Sequence, residues 1–193
     1  MVKTAHYGSW KSPITPDVIL ADSVGLGQLF LDGEDIYWVE GRPQEKGRYV
    51  LVRRAPDGTT HDMTPVPFNV RTRVHEYGGG AAAVHDGVIV FSNFADGRLY
   101  KMESPDAVPQ PLTAEGAMRY ADMIFDSERD RIICVRENHT GEGEAVNALV
   151  SINLNGDEYG QVIASGHDFY ASPRLSPDGK KLAWITWDHP RMP

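Results

Sequence analysis

One pattern recurs along this chain and limits what it can fold into: an apolar strand, a tight turn carrying Gly after Asp or Asn, then a second apolar strand. The clearest copy is Ser172 to Trp187, S-P-R-L-S-P-D-G-K-K-L-A-W-I-T-W. Pro presets φ early in such a turn, and Gly accepts the positive φ that branched residues resist. The run from Lys181 to Trp187 is rich in aromatic and β-branched residues, the composition of a strand buried on both faces.

Three earlier units follow the same plan. Gln28 to Leu31, Asp35 to Val39, Arg48 to Arg53 and Thr59 to Thr64 form the first, with turns at Asp32-Gly33 and Asp57-Gly58. Gly80 to Val84, Val88 to Ser92, Arg98 to Met102 and Val108 to Leu112 form the second, turning at Asp86-Gly87 and Asp96-Gly97. Tyr120 to Phe125, Arg131 to Glu137, Ala148 to Leu154 and Tyr159 to Ala164 form the third, with a turn at Asn155-Gly156. The second strands begin at Asp35, Val88, Arg131 and Lys181. That spacing, roughly 45 to 50 residues, is the length of one four-stranded propeller blade.

The fold class that follows is all-β: a partial β-propeller of four-stranded antiparallel blades, three complete and half of a fourth. A β-sandwich would show strands alternating in and out without a fixed repeat. Strand content is expected well above the globular average of about 20–25%. One helical turn is expected near Ala114 to Arg119, and Val18 to Ala21 reads equally as a strand or a helical turn. Residues 1–21 form a polar leader packing on the propeller or at a domain interface, and residues 22–193 the N-terminal part of the propeller. A ring buries the outer faces of its end blades by closing. With three and a half units, the chain reads as the first part of a longer protein.

Charge and composition exclude several roles. A net charge of −8 with no Lys/Arg cluster argues against a nucleic-acid partner. No signal-like segment or membrane-length apolar run occurs, which points to the cytoplasm and to no membrane partner. The single cysteine, Cys134 in R-I-I-C-V, has no local histidine or helix N-terminus to activate it and reads as a buried small hydrophobe.

The best candidate site is Arg71-Thr72-Arg73-Val74-His75-Glu76-Tyr77-Gly78-Gly79-Gly80. In an extended chain Arg71, Arg73 and His75 share one side, with Thr72, Val74 and Glu76 on the other. Arg73, Glu76 and Tyr77 are the candidate substrate-binding residues, since guanidinium suits a peptide carboxylate and carboxylate an α-ammonium. The structural alternative is an Arg–Glu network bracing a crossover between blades. Tyr7 and Trp10 are candidates for a domain interface, or else an aromatic clip holding the leader down. His75 with Glu76, and His85 with Asp86, lack a third ligand at zinc-like spacing, so no metal and no cofactor are expected. Glu142-Gly143-Glu144 reads as a solvated loop.

Three stretches in order, Tyr7-Gly8-Ser9-Trp10-Lys11-Ser12-Pro13-Ile14, Arg71 to Gly80 and Ser172 to Gly179, resemble the N-terminal propeller of the prolyl oligopeptidase family, in its acylaminoacyl-peptidase and dipeptidyl-peptidase-like branch. The resemblance implies a serine peptidase in which the propeller caps a C-terminal α/β-hydrolase domain and admits only small peptides to a Ser-Asp-His triad. No G-x-S-x-G elbow occurs here, so no catalytic residue carries over. The alternatives are a non-catalytic propeller that binds a protein partner and a metal-dependent propeller enzyme of the lactonase kind. The latter needs acidic and Asn ligands at blade centres, a pattern this sequence lacks.

Overall fold

Short apolar strands and Gly-bearing turns alternate through the computed structural model, which describes residues 4–20 and 23–191. The first sheet runs β1 (Gly25–Asp32), β2 (Asp35–Arg42), β3 (Arg48–Arg54) and β4 (Thr60–Asp62). The second holds β5 (Ala82–His85), β6 (Val88–Ser92), β7 (Leu99–Met102) and β8 (Gln110–Pro111). The third holds β9 (Met118–Asp126), β10 (Arg131–Asn138), β11 (Val146–Asn153) and β12 (Gln161–Ser165). A two-stranded sheet follows, β13 (Phe169–Leu175) with β14 (Leu182–Trp187). Each sheet pairs its strands antiparallel in chain order, the meander of a propeller blade. Strands hold 48% of the chain and helix 5%, which makes this an all-β partial propeller.

The turns obey their residues. Asp86 and Gly87 take φ of 48° and 76°, the two left-handed positions that a tight hairpin twisting with its strands requires. At the last hairpin the Ser176 hydroxyl donates to Asp178 Oδ1 (2.6 Å) and accepts from the Lys181 N–H (2.9 Å). In the leader, Pro16–Leu20 forms a short helix, α1, begun by Thr15, whose Oγ1 accepts from the Val18 N–H at 3.3 Å. This settles the choice left open at Val18; Ala21 lies outside the described residues. The helical turn expected at Ala114 to Arg119 does not form. The Ala114 N–H instead donates to Glu158 O (2.9 Å), and Met118 and Arg119 open β9. Pairing across the sheet buries Met118 and outweighs the local preference.

Three apolar cores lie between successive sheets. Tyr37, Val39, Leu51, Ile89, Phe91 and Met102 fill the space between the first and second blades. Val90, Leu99, Tyr120, Ile132, Cys134, Val150 and Ile152 fill that between the second and third. Val74, Ala121, Val135, Leu149 and Tyr170 join the third to the fourth. Each large side chain buried here contributes about 1.5–3 kcal/mol. The expectation of strands buried on both faces holds for β6 and β10 and fails for β14, where Trp184 and Ile185 are exposed. At the other end Leu26, Leu29 and Leu31 of β1 are exposed too. Both are outward faces of terminal sheets, against which no described element packs.

The innermost strands are stitched together by bulged, left-handed residues. Gln28, Asp122 and Ser172 take φ of 46°, 54° and 52°, at register shifts in β1, β9 and β13. Gln28 Nε2 donates to Gly79 O (2.9 Å) while its Oε1 accepts from the Ala81 N–H (3.1 Å). The Asp122 carboxylate accepts from the Gly80 N–H (2.6 Å) and the Ser172 N–H (2.9 Å), so one side chain ties three blades. A Cβ on Gly80 would fall 2.9 Å from Asp122 Oδ1, so that close approach requires glycine.

Cys134 is fully buried, and desolvation pushes its thiol far above the ordinary range. A thiol reagent such as DTNB is therefore expected to label nothing in the native protein and one equivalent after denaturation. Labelling of the native protein at the rate of a free thiol would contradict this packing.

Candidate functional site

The crossover from β4 to β5 carries the segment singled out in the sequence. Its period-2 alternation holds at first: Thr72 and Val74 are buried, Arg71 and Arg73 exposed. It then breaks, because His75 and Glu76 both adopt left-handed backbone, with φ of 55° and 64°. Glu76 is thereby turned outward, away from the side it would share with Thr72 and Val74. Two successive non-glycine residues in this region store roughly 1–3 kcal/mol each, and such strain gathers at functional loops. Backbone N–H groups help to hold the loop: the Glu76 N–H donates to Arg73 O and the Gly78 N–H to Val74 O, both 2.9 Å, and the His75 N–H to Glu137 Oε1, 2.6 Å.

Glu76 points its carboxylate into solvent, 79% exposed, and accepts from Arg119 at 2.6 Å. Arg119 holds the Glu76 carboxyl below the usual carboxylate range. Arg119 also donates to Arg73 O (3.0 Å) and lies 3.7 Å from the buried Glu137. The bracing network thus exists and runs from the crossover to β9 and β10, while Glu76 remains open on its outer side. His75 packs between Phe169 (5.4 Å), Trp187 (5.6 Å) and Tyr77 (5.7 Å), and burial pushes its imidazole below the usual range, so it is neutral at pH 7.

These groups border a cleft of about 510 Å³ at the junction of the third and fourth blades. Glu76, Glu137, Glu144 and Asp168 give it four carboxylates, with His75, His139, His189, Asn147 and Phe169 completing much of the wall. His139 Nε2 lies 3.0 Å from Glu137 Oε2, and His189 Nδ1 2.9 Å from Asp168 Oδ2. Asn147 is buried; its Nδ2 donates to Asp168 O (2.8 Å), and its Oδ1 has no partner among the described residues. An acidic, half-apolar recess with an open acceptor suits an organic cation that donates N–H bonds.

Of the sequence candidates, Glu76 borders this cleft. Tyr77, 67% exposed, and Arg71 border a second one, of about 180 Å³, between the first and second blades. Arg73 lies over the Phe94 ring at 5.1 Å. Tyr7 and Trp10 are exposed, so the aromatic clip onto the propeller is not made; the leader's backbone closes on itself through the Ser9 N–H to His6 O (3.1 Å). Glu137, His139, Asn147, Asp168 and His189 escaped the sequence reading, because blade ends bring them together from distant positions. Gly143 and Glu144, read as a solvated loop, stand at the cleft's edge. His85, Asp86 and Asp32 do gather, but Asp32 already accepts from the Asp86 N–H (2.9 Å) and the Gly87 N–H (2.7 Å), closing a turn in the next blade.

No family model matches this chain, and no curated protein matches it. Solved structures do. A crystal structure of puromycin hydrolase aligns over 99% of the chain with a TM-score of 0.88 and 39% identity. A puromycin-hydrolyzing peptidase of Mycobacterium tuberculosis aligns over 98% with a TM-score of 0.86 and 35% identity. The chain belongs with the N-terminal propeller portion of the prolyl oligopeptidase family. It spans 32% of the length of either solved chain. A serine-to-alanine mutant of puromycin hydrolase complexed with PGG gives the same match, 39% identity over 99% of this chain. Among the described residues, no helix is long and apolar enough to cross a membrane.

Proposed function

We propose that this chain is the propeller part of a serine peptidase in which it gates the access of small peptides to a C-terminal α/β-hydrolase domain. The 71–80 crossover presents Arg73, Glu76 and Tyr77 to substrate ends, and Tyr7 and Trp10 meet the hydrolase domain. The observation that carries the reading is the near-complete match, at 39% identity, to a third of a puromycin hydrolase. Glu76 supports it too, held in strained backbone with its carboxylate open beside an acidic cleft. Puromycin is an aminoacyl amide with a free amino group, so substrates of that kind, small and amine-ended, are the class proposed. The cytoplasm is the proposed compartment.

The test is enzymatic. The 193-residue chain alone is expected to release nothing from aminoacyl or acylaminoacyl chromogenic amides, while the full-length gene product turns over the amine-ended ones and loses that activity to a serine-directed inhibitor. Inhibitor-sensitive turnover by the 193-residue chain would place the chemistry in the propeller, and a full-length product inert to every amide would end the peptidase reading.

A further inference from the structure

The 71–80 crossover separates two clefts of opposite character. His75 and Glu76 face the acidic one. Arg71, Tyr77 and Tyr49 face the smaller one between the first and second blades. The Arg71 guanidinium lies 4.8 Å from the centre of the Phe94 ring and 5.5 Å from that of Tyr49. The Arg73 guanidinium lies 5.1 Å from the same Phe94 ring. Two guanidiniums thus share one aromatic platform. Among the described residues neither has an acidic partner, in a chain with 27 Asp and Glu against 19 Lys and Arg. Most other arginines are engaged: Arg42, Arg48, Arg53, Arg119, Arg129 and Arg131 with carboxylates, Arg98 and Arg136 with carbonyls.

Ring contact fixes a guanidinium's plane and leaves its N–H edge free, and that edge matches a carboxylate in bidentate fashion. Backbone bonds fix the segment below: the Arg71 N–H donates to Asn69 O (2.9 Å) and the Phe94 N–H to the same Asn69 O (2.9 Å). Arg71 borders the cleft of about 180 Å³, while Arg73 and Phe94 stand outside its lining. We infer that Arg71 and Arg73, seated on Phe94, form a carboxylate subsite that takes the free C-terminal end of short peptides. The inference deepens the peptidase reading and rests on it for the ligand's identity. A short free peptide is a zwitterion, and the crossover would offer it a guanidinium pair on Phe94 on one side and an acidic cleft on the other.

The experiment is a ligand-detected NMR titration of the full-length protein with N-acetylglycine and with N-acetylglycinamide, which differ in the terminal charge. The acid is expected to bind at least about tenfold more tightly, the scale of a charge-assisted pair. The Arg71→Met, Arg73→Met double variant keeps the apolar stems over Phe94 and is expected to erase that preference without moving the melting point. Arg54→Met, which removes another exposed arginine, is expected to leave it intact. Equal binding of acid and amide by the wild-type protein, or an acid preference that survives the double variant, overturns the subsite. Peptide turnover read in parallel separates the two readings. Turnover without discrimination between acid and amide sinks the subsite alone; acid-selective binding without any turnover sinks the peptidase reading and leaves the anion site standing.

Discussion

Replacing Asp122 with alanine is expected to destabilise the propeller by about 3 kcal/mol, although Asp122 lies in no apolar core. Its carboxylate accepts from Gly80 in the second blade and from Ser172 in the fourth. Hydrogen bonds to a charged group contribute about 1.5–3 kcal/mol each, and alanine leaves both N–H groups unmatched. Alanine is also strained at φ of 54°. For a domain of this size each kcal/mol moves the melting point by about 2–4 °C, so a fall of roughly 6–12 °C is expected in a thermal melt followed by circular dichroism. Asparagine at this position would tolerate left-handed backbone and keep one acceptor, but its Nδ2 donor would face the other N–H, so Asp122→Asn should recover no more than about half of the loss. An alanine variant that melts within about a degree of wild type would show that the blades hold together through their apolar cores alone.

How far the sequence disclosed this architecture depends on the range of the interactions. The hairpins were legible because a turn is decided largely by neighbours: Asp86 and Gly87 are residue types that accept the left-handed pair they adopt. Blade spacing was legible because the apolar strands recur. The stitching by Gln28 and Asp122 was not, since a left-handed Gln or Asp inside a strand has no local signature and its partners lie about fifty residues away in sequence. Glycines such as Gly79 and Gly80 suit a sharp turn or a close approach to another segment, and the structure assigns them to the close approach of β9. The same limit hid most of the acidic cleft. Glu76 was found from its segment, but Glu137 read as an ordinary strand residue and Asn147 fell just before the expected strand, until β10 and β11 bring their ends beside the crossover.

Glu76→Gln is expected to raise KM for amine-ended peptides by roughly ten- to a hundredfold while sparing N-blocked ones, the scale of one charge-assisted hydrogen bond. Glutamine keeps the shape and removes the charge. The ion pair with Arg119 is exposed, so its loss should leave the melting point nearly unchanged. The pH profile gives an independent check, and its sign follows from Arg119. Because that guanidinium lowers the Glu76 carboxyl below its ordinary value, Glu76 stays charged throughout pH 5 to 8 and loses its charge only as pH falls through that lowered value. Weakening of substrate binding on the alkaline side should then follow the substrate's own α-ammonium, which deprotonates near about 7.7–8.0. The wild-type protein should show this alkaline rise in KM, and the Glu76→Gln variant should show much less of it, having no charge to exploit. Unchanged kinetics on both substrate classes, together with an earlier melt, would instead assign Glu76 to bracing the crossover through Arg119 and leave amine recognition to the deeper carboxylates of the cleft.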